Sequence, residues 1–257
     1  MSEVRVEKSG LIATVTLSNP GKLNAISLSM WNALTREFTV LSQDEALRCV
    51  IVRGEGRNFA AGADIEEFPE VRSTVEKGMR YHTETIAQAL QAISECLHPT
   101  IAAIEGVCVG GGLEIACACD LRIASPASRF GIPVNRLGFP LAPGELQQLL
   151  QLVGKTAALE ILLEGRVFDA SEAKDKRLIN RIADDVEEDV RKTAQRIALG
   201  APLAARMNKR MARRLTAQPD PLTEQELREA FAFLESQDYR EGVRAFLDKR
   251  KPEFSGK

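Results

Sequence analysis

The feature that most constrains the fold is an apolar run that ends in three consecutive glycines. The glycines occupy positions 110–112, and a second apolar stretch follows them, interrupted by one acidic side chain, Glu114. The apolar residues before the glycines predict a buried strand over 100–109, and those after them predict a short buried helix over 113–119. Because glycine lacks a side chain, such a turn lets the backbone approach a ligand closely. The segment therefore indicates a ligand site at the start of a buried helix.

Glu114 lies in the first turn of this predicted helix, among apolar neighbours. The first N–H groups of a helix have no partner within the helix, and the helix dipole favours negative charge beside them. A carboxyl group in apolar surroundings has a raised pKa, which suits it to proton transfer. Taken alone, the segment is equally consistent with an ordinary helix N-terminus, in which the glutamate interacts favourably with the helix dipole and the glycines allow close packing.

A second segment of small residues follows another predicted strand. That strand covers 49–52, and the loop over 57–65 reads Arg-Asn-Phe-Ala-Ala-Gly-Ala-Asp-Ile. We expect this loop to expose backbone N–H groups, as the glycine segment does. Two such loops at strand ends can direct two N–H donors at one oxygen, which is the construction of an oxyanion hole. Together the two segments predict a site that stabilises a developing negative charge.

Composition and patterning argue against several broad classes of function. The 257 residues include 34 basic and 36 acidic side chains, so the net charge of −2 gives no general attraction to nucleic acid. No apolar signal segment and no run of about 20 apolar residues occurs, so we expect a cytoplasmic protein with no membrane partner. We interpret the one basic cluster as a solvated helix face. Its members are Arg206, Lys209, Arg210, Arg213 and Arg214.

Several catalytic machineries are missing from the sequence. It has no Gly-x-Ser-x-Gly motif, and residues 154–156 lack the first glycine of a phosphate-binding loop. The two histidines, His82 and His98, are predicted to be structural, which leaves little for a histidine triad. The five cysteines lie in apolar runs and are predicted to be reduced core thiols. We therefore expect no metal site.

The order of the predicted elements divides the chain into an α/β part and a helical part. A hairpin around 9–10, a helix over 29–41, a long helical tract over 71–97 and a strand over 121–124 belong to the first part. From residue 145 the pattern is nearly all helical. Its breaks fall at Gly154, Gly165, 200–202 and 218–221.

Motifs spread over almost the whole chain resemble, in their order, those of the crotonase (enoyl-CoA hydratase/isomerase) superfamily. They are an early turn at 19–25, a first oxyanion loop at 59–64, a second at 110–114 with 119–120, the segment 130–133, Gly138, 154–155 and a closing helix at 245–251. The resemblance implies an α/β fold, a spiral of ββα units followed by C-terminal helices that mediate trimerisation. We expect an α/β core over 1–199 and a helical region over 200–257, in a homotrimer or a dimer of trimers.

The resemblance also implies a substrate and its binding residues. The substrate would be an acyl-CoA thioester, and no separate cofactor is expected because coenzyme A is part of the substrate. The N–H groups of Ala63 and Gly111 would hold the thioester oxygen as an enolate forms, and Glu114 matches the first of the hydratase's two glutamates. CoA-binding stretches are matched by Leu23 and Ala25 at the adenine pocket, by Ala61, Asp64 and Ile65, and by Phe246 and Lys249, which would approach the CoA of a neighbouring subunit.

One position departs from the family's pattern. The second hydratase glutamate should follow the segment 130–133, but Val134 stands there. Valine can neither titrate nor hold a water by hydrogen bonds. Hydration would then depend on Glu114 alone, or on Glu114 with help from Asn135 or Glu145.

We predict a hydratase-type lyase that adds water to a 2-enoyl-CoA, with Glu114 as base and proton carrier. The alternatives are an acyl-CoA double-bond isomerase or a decarboxylase on the same scaffold, neither of which needs a water held by two carboxylates. A non-catalytic homologue that binds acyl-CoA or RNA is a further alternative. The intact Glu114 and the two intact oxyanion loops argue against it. The dehalogenase branch is excluded because residues 141–143 contain no aspartate nucleophile.

Overall fold

The strands of the protein form two sheets in the computed structural model, which describes residues 2–215 and 223–253. The strands are β1 (Glu3–Ser9), β2 (Ile12–Ser18), β3 (Cys49–Gly54), β4 (Thr100–Ile104), β5 (Val107–Val109), β6 (Leu121–Ala124), β7 (Arg129–Gly131), β8 (Phe168–Asp169) and β9 (Arg181–Ile182). The larger sheet has the order β1-β2-β3-β4-β6-β9, and the smaller has the order β5-β7-β8. The pair β1–β2 is antiparallel and the other pairs of the larger sheet are parallel, so the carboxyl ends of β3 and β4 lie at the same edge.

Helices cover the sheets and make up most of the C-terminal part. They are α1 (Leu28–Gln43), α2 (Phe68–Val71), α3 (Val75–Arg80), α4 (Ala87–Glu95), α5 (Gly111–Ala118), α6 (Pro143–Glu164), α7 (Ala170–Asp175), α8 (Val186–Leu199), α9 (Pro202–Leu215), α10 (Glu224–Phe231) and α11 (Gln237–Leu247). Short 3-10 helices cover Ile65–Glu67, Val134–Leu137 and Ala232–Glu235, and a π-helical turn covers Tyr81–Ile86. Within the described ranges, no helix is both long enough and apolar enough to cross a membrane.

The first elements follow their local sequence signals. Gly10 turns the β1–β2 hairpin at a φ of +58°, a conformation that glycine adopts without steric cost. In α1, the Ser27 side chain accepts a hydrogen bond from the Met30 N–H at 3.3 Å, which satisfies one of the unpaired donors at the helix start. The apolar residues Met30, Leu34 and Phe38 are fully buried at helical spacing. The hairpin and the helix over 29–41 are confirmed.

The apolar run over 100–109 forms two strands, so the prediction of one strand was wrong. Gly106 has a φ of +54° and turns the chain from β4, in the larger sheet, to β5, in the smaller one. A Cβ atom on Gly106 would lie 2.2 Å from the carbonyl oxygen of Arg57, so the loop after β3 packs directly on this turn. The Asn58 side chain accepts a hydrogen bond from the Val107 N–H at 3.0 Å. The turn thereby holds the two loops of the predicted site against each other.

The long helical tract predicted over 71–97 is also interrupted. Arg72 leaves the helical region with φ −128° and ψ 24°, and Thr74 starts α3 by accepting from the Lys77 N–H at 3.2 Å. A π-helical turn then separates α3 from α4. Apolar spacing does not reveal such breaks, because the residues on both sides keep a buried face. The breaks matter because they direct Arg72 and His82 towards the protein interior, where both are buried.

The basic cluster on α9 is not simply a solvated face. The Lys209 side chain is only 8% exposed, and its Nζ lies 2.7 Å from an Asp120 carboxylate oxygen and 3.0 Å from the His98 carbonyl oxygen. Arg206 donates to the carbonyl oxygen of Glu45 at 3.0 Å. The cluster therefore docks α9 onto the core, which corrects the prediction for these members.

The helical breaks predicted in the C-terminal half have mixed outcomes. Gly154 has a non-helical φ of +74° inside α6, and Gly165 ends the helix at a φ of +56°, so both breaks are confirmed. The break at 200–202 is confirmed by the end of α8 and the start of α9. The break at 218–221 lies outside the described residues, and the division of the chain into 1–199 and 200–257 stays a prediction.

Candidate active site

The two predicted oxyanion loops meet at the start of α5. The Val109 N–H donates to the Ala60 carbonyl oxygen at 3.1 Å, which ties β5 to the loop after β3. A Cβ atom on Gly112 would lie 2.4 Å from the same Ala60 oxygen, and one on Gly110 would lie 3.6 Å from the Cα of Gly62. The loops therefore contact each other backbone to backbone. At position 112 the contact leaves no room for a side chain, and at Gly110 the φ of +48° favours glycine.

This contact leaves two backbone N–H groups facing the same space. The Ile26 N–H donates to the Gly62 carbonyl oxygen at 2.7 Å, and the Asp64 N–H donates to the Ile26 carbonyl oxygen at 2.9 Å. The Ala63 N–H, which lies between them in sequence, takes no part in this bridge. Gly111 is the first residue of α5, where an N–H has no acceptor within the helix. A Cβ atom on Gly111 would lie 3.3 Å from the Ala63 nitrogen. Two free amide donors therefore sit side by side at a helix N-terminus, as an oxyanion hole requires.

Both amides open into a cavity of about 380 Å³. Its wall is mostly apolar, with Trp31, Ile86, Phe139 and Leu141 among the lining residues. Four ionisable side chains interrupt this surface in the buried part, namely Glu114, Glu145, His82 and Arg72. The cavity is thus an apolar pocket with a few polar groups gathered beside the amides, which is the common form of a small-molecule site.

Glu114 lies in the first turn of α5, where the sequence predicts it, and is buried in the cavity wall. Burial raises the pKa of its carboxyl group well above the usual value, because the charged form loses its hydration. The negative charge of Glu145 raises this pKa further, and the positive charge of Arg72 lowers it. A raised pKa suits a carboxyl group to proton transfer with a substrate.

Glu145 is a second carboxyl group in the same cavity. It lies in the first turn of α6, where its Oε2 accepts from the Ala142 N–H at 3.3 Å and its Oε1 lies 2.6 Å from Nδ1 of His82. Burial raises the pKa of Glu145 to about 7, while the charge of Arg72 and the bond from Ala142 oppose the rise. Asn135 and Glu145 were the two residues expected to assist Glu114, and of these Glu145 lines the cavity.

His82 belongs to the cavity wall and bonds to Glu145, so its predicted structural role stays a prediction. Burial and the positive charge of Arg72 hold the pKa of His82 well below its usual value, so the imidazole is neutral and its contact with Glu145 is a hydrogen bond rather than an ion pair. The residue lies in the π-helical turn, a feature that often marks functional sites and leaves no trace in apolar spacing. His98 has the structural role expected of it, with Nε2 3.1 Å from the Leu41 carbonyl oxygen.

Val134 lines the cavity at the position where a second glutamate was expected. It is buried and contributes only apolar surface. Asn135, next to it, directs its amide elsewhere and donates to the Leu163 carbonyl oxygen at 2.9 Å. The second carboxyl group of this pocket therefore comes from the start of α6 and not from the segment after Pro133.

The residues matched to CoA-binding stretches fall into two groups. Ala61, Ile65 and Phe246 line the cavity, Phe246 doing so within its own chain. The other four do not line it. Leu23 accepts a hydrogen bond from the Ala61 N–H at 3.0 Å, Asp64 pairs with Lys22 at 2.7 Å, Ala25 is buried, and Lys249 follows α11 at a φ of +57°.

Within residues 2–215 and 223–253, no group of three or more His, Cys, Asp or Glu side chains is placed to hold a metal ion. The five cysteines are free thiols, and burial raises the pKa of Cys49, Cys117 and Cys119 to about 12. The prediction of reduced thiols agrees with this arrangement.

Known proteins resemble this chain along nearly its whole length. The enoyl-CoA hydratase/isomerase family model matches residues 7–257. A protein of Bacillus subtilis named "Probable enoyl-CoA hydratase" is 33% identical, and the match covers 100% of both chains. An enoyl-CoA hydratase/carnitine racemase structure from Magnetospirillum magneticum is 46% identical, with a TM-score of 0.82 over 99% of this chain and 96% of its own. A methylmalonyl-CoA decarboxylase in complex with 2-nitronate-propionyl-CoA is 27% identical, with a TM-score of 0.88 over 99% and 98%. These matches confirm the crotonase-like α/β fold.

Proposed function

Because this chain belongs to the enoyl-CoA hydratase/isomerase family, we propose that it is a hydratase-type lyase that adds water to a 2-enoyl-CoA. The observation that carries the proposal is the pair of free amides at Ala63 and Gly111, which open into one buried cavity with two carboxyl groups, Glu114 and Glu145. The amides suit a thioester oxygen that becomes negative during reaction, and the carboxyl groups suit a water and its proton.

The amides would stabilise the enolate. When water attacks the β-carbon of a 2-enoyl thioester, the electron pair of the double bond moves towards the carbonyl and leaves negative charge on its oxygen. The Ala63 and Gly111 N–H groups would donate to this oxygen, and the dipole of α5 would add to their effect. Removal of one such donor typically costs roughly 3–4 kcal/mol of transition-state stabilisation. Since both donors belong to the backbone, they need no reorganisation as the charge forms.

The two carboxyl groups would handle the proton. Like charges in one buried site do not both ionise, so the pair titrates as a unit and holds one proton near neutral pH. The ionised member would accept the proton of the attacking water, and the protonated member would deliver one to the α-carbon as the enolate collapses. His82 would keep the Glu145 carboxyl group in place through the bond at 2.6 Å. Water addition then needs no carboxylate at Val134.

The remaining parts of the proposal concern binding and assembly. The CoA portion of the substrate would contact Leu23, Ala25, Asp64 and Lys249 outside the cavity, and Ala61, Ile65 and Phe246 where it enters, and no further cofactor is needed. We place the enzyme in the cytoplasm, in fatty acid metabolism, as a homotrimer or a dimer of trimers.

Hydration of crotonyl-CoA tests the proposed function. The absorbance of the conjugated thioester falls as water adds, so the purified chain is compared with Glu114→Gln and Glu145→Gln. We expect turnover by the wild type and a loss of roughly 100-fold or more in each variant, since general acid–base catalysis contributes about that much. Equal inertness of all three proteins, together with retained binding of butyryl-CoA, would overturn the hydratase proposal.

A second candidate is decarboxylation of a malonyl-type thioester. Two observations favour it over the isomerase: the apolar wall at Val134, and the TM-score of 0.88 with the methylmalonyl-CoA decarboxylase structure. This reaction passes through the same enolate but needs no bound water. If crotonyl-CoA is not hydrated, release of carbon dioxide from malonyl-type thioesters and migration of the double bond in 3-enoyl thioesters identify which alternative applies. Binding with none of these reactions would indicate a non-catalytic acyl-CoA-binding protein.

A further inference from the structure

Arg72 is a buried cation in the wall of the proposed substrate cavity. It is the residue at which α2 ends, and it is only 4% exposed. It lines the same cavity as Glu114 and Gly111. Its charge affects the pKa values of Glu114, Glu145 and His82, so it lies close to the polar end of the cavity.

The guanidinium group has open hydrogen-bonding positions. Its Nε and Nη1 atoms are buried, and within the described residues neither has a hydrogen-bond acceptor. Its flat face rests on aromatic rings, 3.9 Å from the centroid of Phe68 and 4.6 Å from that of Phe139. The Tyr239 phenol lies beside the same group: burial raises its pKa, and the charge and a hydrogen bond of Arg72 oppose the rise. The rings stabilise the charge but leave the Nε and Nη1 donors unused.

No carboxylate of the described residues forms an ion pair with this guanidinium group. Glu114 and Glu145 share the cavity with Arg72, but neither lies within 4.0 Å of its guanidinium nitrogens, the distance at which an ion pair forms. A buried guanidinium with no carboxylate bonded to it is costly, because its Nε and Nη1 donors have lost their hydration and gained no acceptor. The structure therefore leaves room for an anion that is not part of this chain.

The shape and place of the group indicate which anion fits. Guanidinium donors form a planar fork that matches a carboxylate with two parallel hydrogen bonds. The phosphates of CoA are strongly hydrated and belong at the mouth of a thioester site, where Arg136 is an exposed cation. Arg72 is instead buried against Phe68 and Phe139, which line the interior of the same cavity. The expected anion is therefore carried by the acyl group.

We propose that Arg72 binds a free carboxylate on the acyl group, so that the preferred substrates are CoA monothioesters of dicarboxylic acids. This inference rests on the proposed function, in that it assumes the cavity takes an acyl-CoA. The aromatic rings around the guanidinium hold its planar fork in place, and the oxyanion amides hold the thioester carbonyl in the same cavity. The acyl group is thereby selected by its charge as well as by its length.

Paired ligands that do not undergo hydration test this inference. Glutaryl-CoA is compared with valeryl-CoA, and succinyl-CoA with butyryl-CoA, by calorimetric titration of the wild-type chain. Within each pair the carbon number and the CoA portion are the same, and only the terminal carboxylate differs. We expect at least one dicarboxylic member to bind roughly tenfold or more tightly than its partner, which corresponds to about 1.4 kcal/mol.

Two variants assign the preference to the residue. Arg72→Lys keeps the charge and removes the planar fork, and Arg72→Gln removes the charge. We expect the preference to shrink in Arg72→Lys and to vanish in Arg72→Gln. The preference is the ratio of the two dissociation constants within a pair, so an effect of the substitution common to both ligands cancels. Arg136→Gln is the matched control, because it removes an exposed arginine at the mouth of the same cavity, and it should leave the preference intact.

The outcomes separate the two proposals. Equal binding within both pairs would overturn the inference and leave the acyl-CoA function standing. A preference that persists in Arg72→Gln, or that disappears in Arg136→Gln instead, would overturn the assignment to Arg72. Failure of all four ligands to bind would overturn the acyl-CoA site itself, and this inference with it.

Discussion

At the scale of single residues, the site depends on two buried carboxyl groups that share one cavity. The pKa of Glu114 is held well above its usual value and that of Glu145 is raised to about 7, in both cases chiefly by burial. Because each charge opposes the other, the pair keeps one proton at neutral pH. That proton makes a carboxyl pair useful for adding water and for protonating carbon.

The raised pKa of Glu145 predicts a pH-dependent difference in stability. The folded chain holds this proton up to about pH 7, whereas an unfolded glutamate loses it near 4.5, so the folded state binds more protons between these values. Its contribution to stability is therefore complete below about pH 4.5 and is lost as the pH rises through 7. Relative to Glu145→Gln, the wild type should lose up to about 3 kcal/mol of unfolding free energy over this range.

Urea unfolding of both proteins at several pH values checks this expectation. Glu145→Gln keeps the size of the side chain and a group that can bond to His82, so the two proteins differ chiefly in the ionisable group. Profiles that run parallel from pH 4.5 to 7.5 would show that Glu145 is not protonated in the folded state.

Sequence reasoning could predict some of these residues and not others. The two loops of small residues and Glu114 were predictable from local patterns, and the resemblance to the family singled out Ala63 and Gly111 within the loops. Arg72 and His82 were not, because they reach the cavity through a helix break and a π-helical turn that apolar spacing does not reveal. Their burial is a product of the tertiary fold alone.

At the scale of secondary-structure elements, the site exists because two loops pack without side chains between them. The start of α5 contacts the loop after β3 at Gly112, where a Cβ atom would lie 2.4 Å from the Ala60 carbonyl oxygen. Sequence reasoning found both loops but missed the turn at Gly106, which divides the apolar run and sends β5 to the second sheet. A long apolar run gives no sign of such a division when both halves are buried.

The close approach at Gly112 predicts the effect of adding one methyl group. Gly112→Ala should push α5 away from the first loop, lower the unfolding free energy by roughly 1–3 kcal/mol and reduce turnover, because the two amides no longer point at one oxygen. Gly144→Ala is the control, since it adds the same methyl group in the first turn of α6 with nothing within 4 Å. Thermal unfolding and the hydration assay measure both effects. A Gly112→Ala enzyme as active and stable as the Gly144→Ala control would contradict this account of the contact.

At the scale of the whole molecule, α9 presents its apolar side outwards. Its basic side contacts the core through Arg206 and Lys209, while Leu203 and Leu215 are 75% and 81% exposed and Met207 is 45% exposed. An exposed apolar row of this kind is a candidate contact surface for another chain. The resemblance to the family could predict the overall fold from motif order, but the assembly depends on surfaces that motif order does not describe.

The exposed row on α9 predicts how assembly can be disrupted. If the chain forms the proposed trimer or dimer of trimers, Met207→Glu should reduce its mass in light scattering towards that of one chain, because a charge would be buried in an apolar contact. Gln195→Glu, which adds the same charge at an exposed position of α8, should leave the mass unchanged. A mass that is the same in both variants and in the wild type would exclude this row from the interface.

The central claim is that the Ala63 and Gly111 amides polarise a thioester carbonyl. The most direct measurement is the infrared difference spectrum of butyryl-CoA labelled with carbon-13 at the carbonyl, free in water and bound to the protein. Two strong hydrogen bonds from preorganised donors should shift the carbonyl stretch of the bound ligand to lower wavenumber than in water, in the wild type and equally in Glu114→Gln. A bound carbonyl that absorbs at or above its frequency in water would contradict the oxyanion hole and the chemistry built on it.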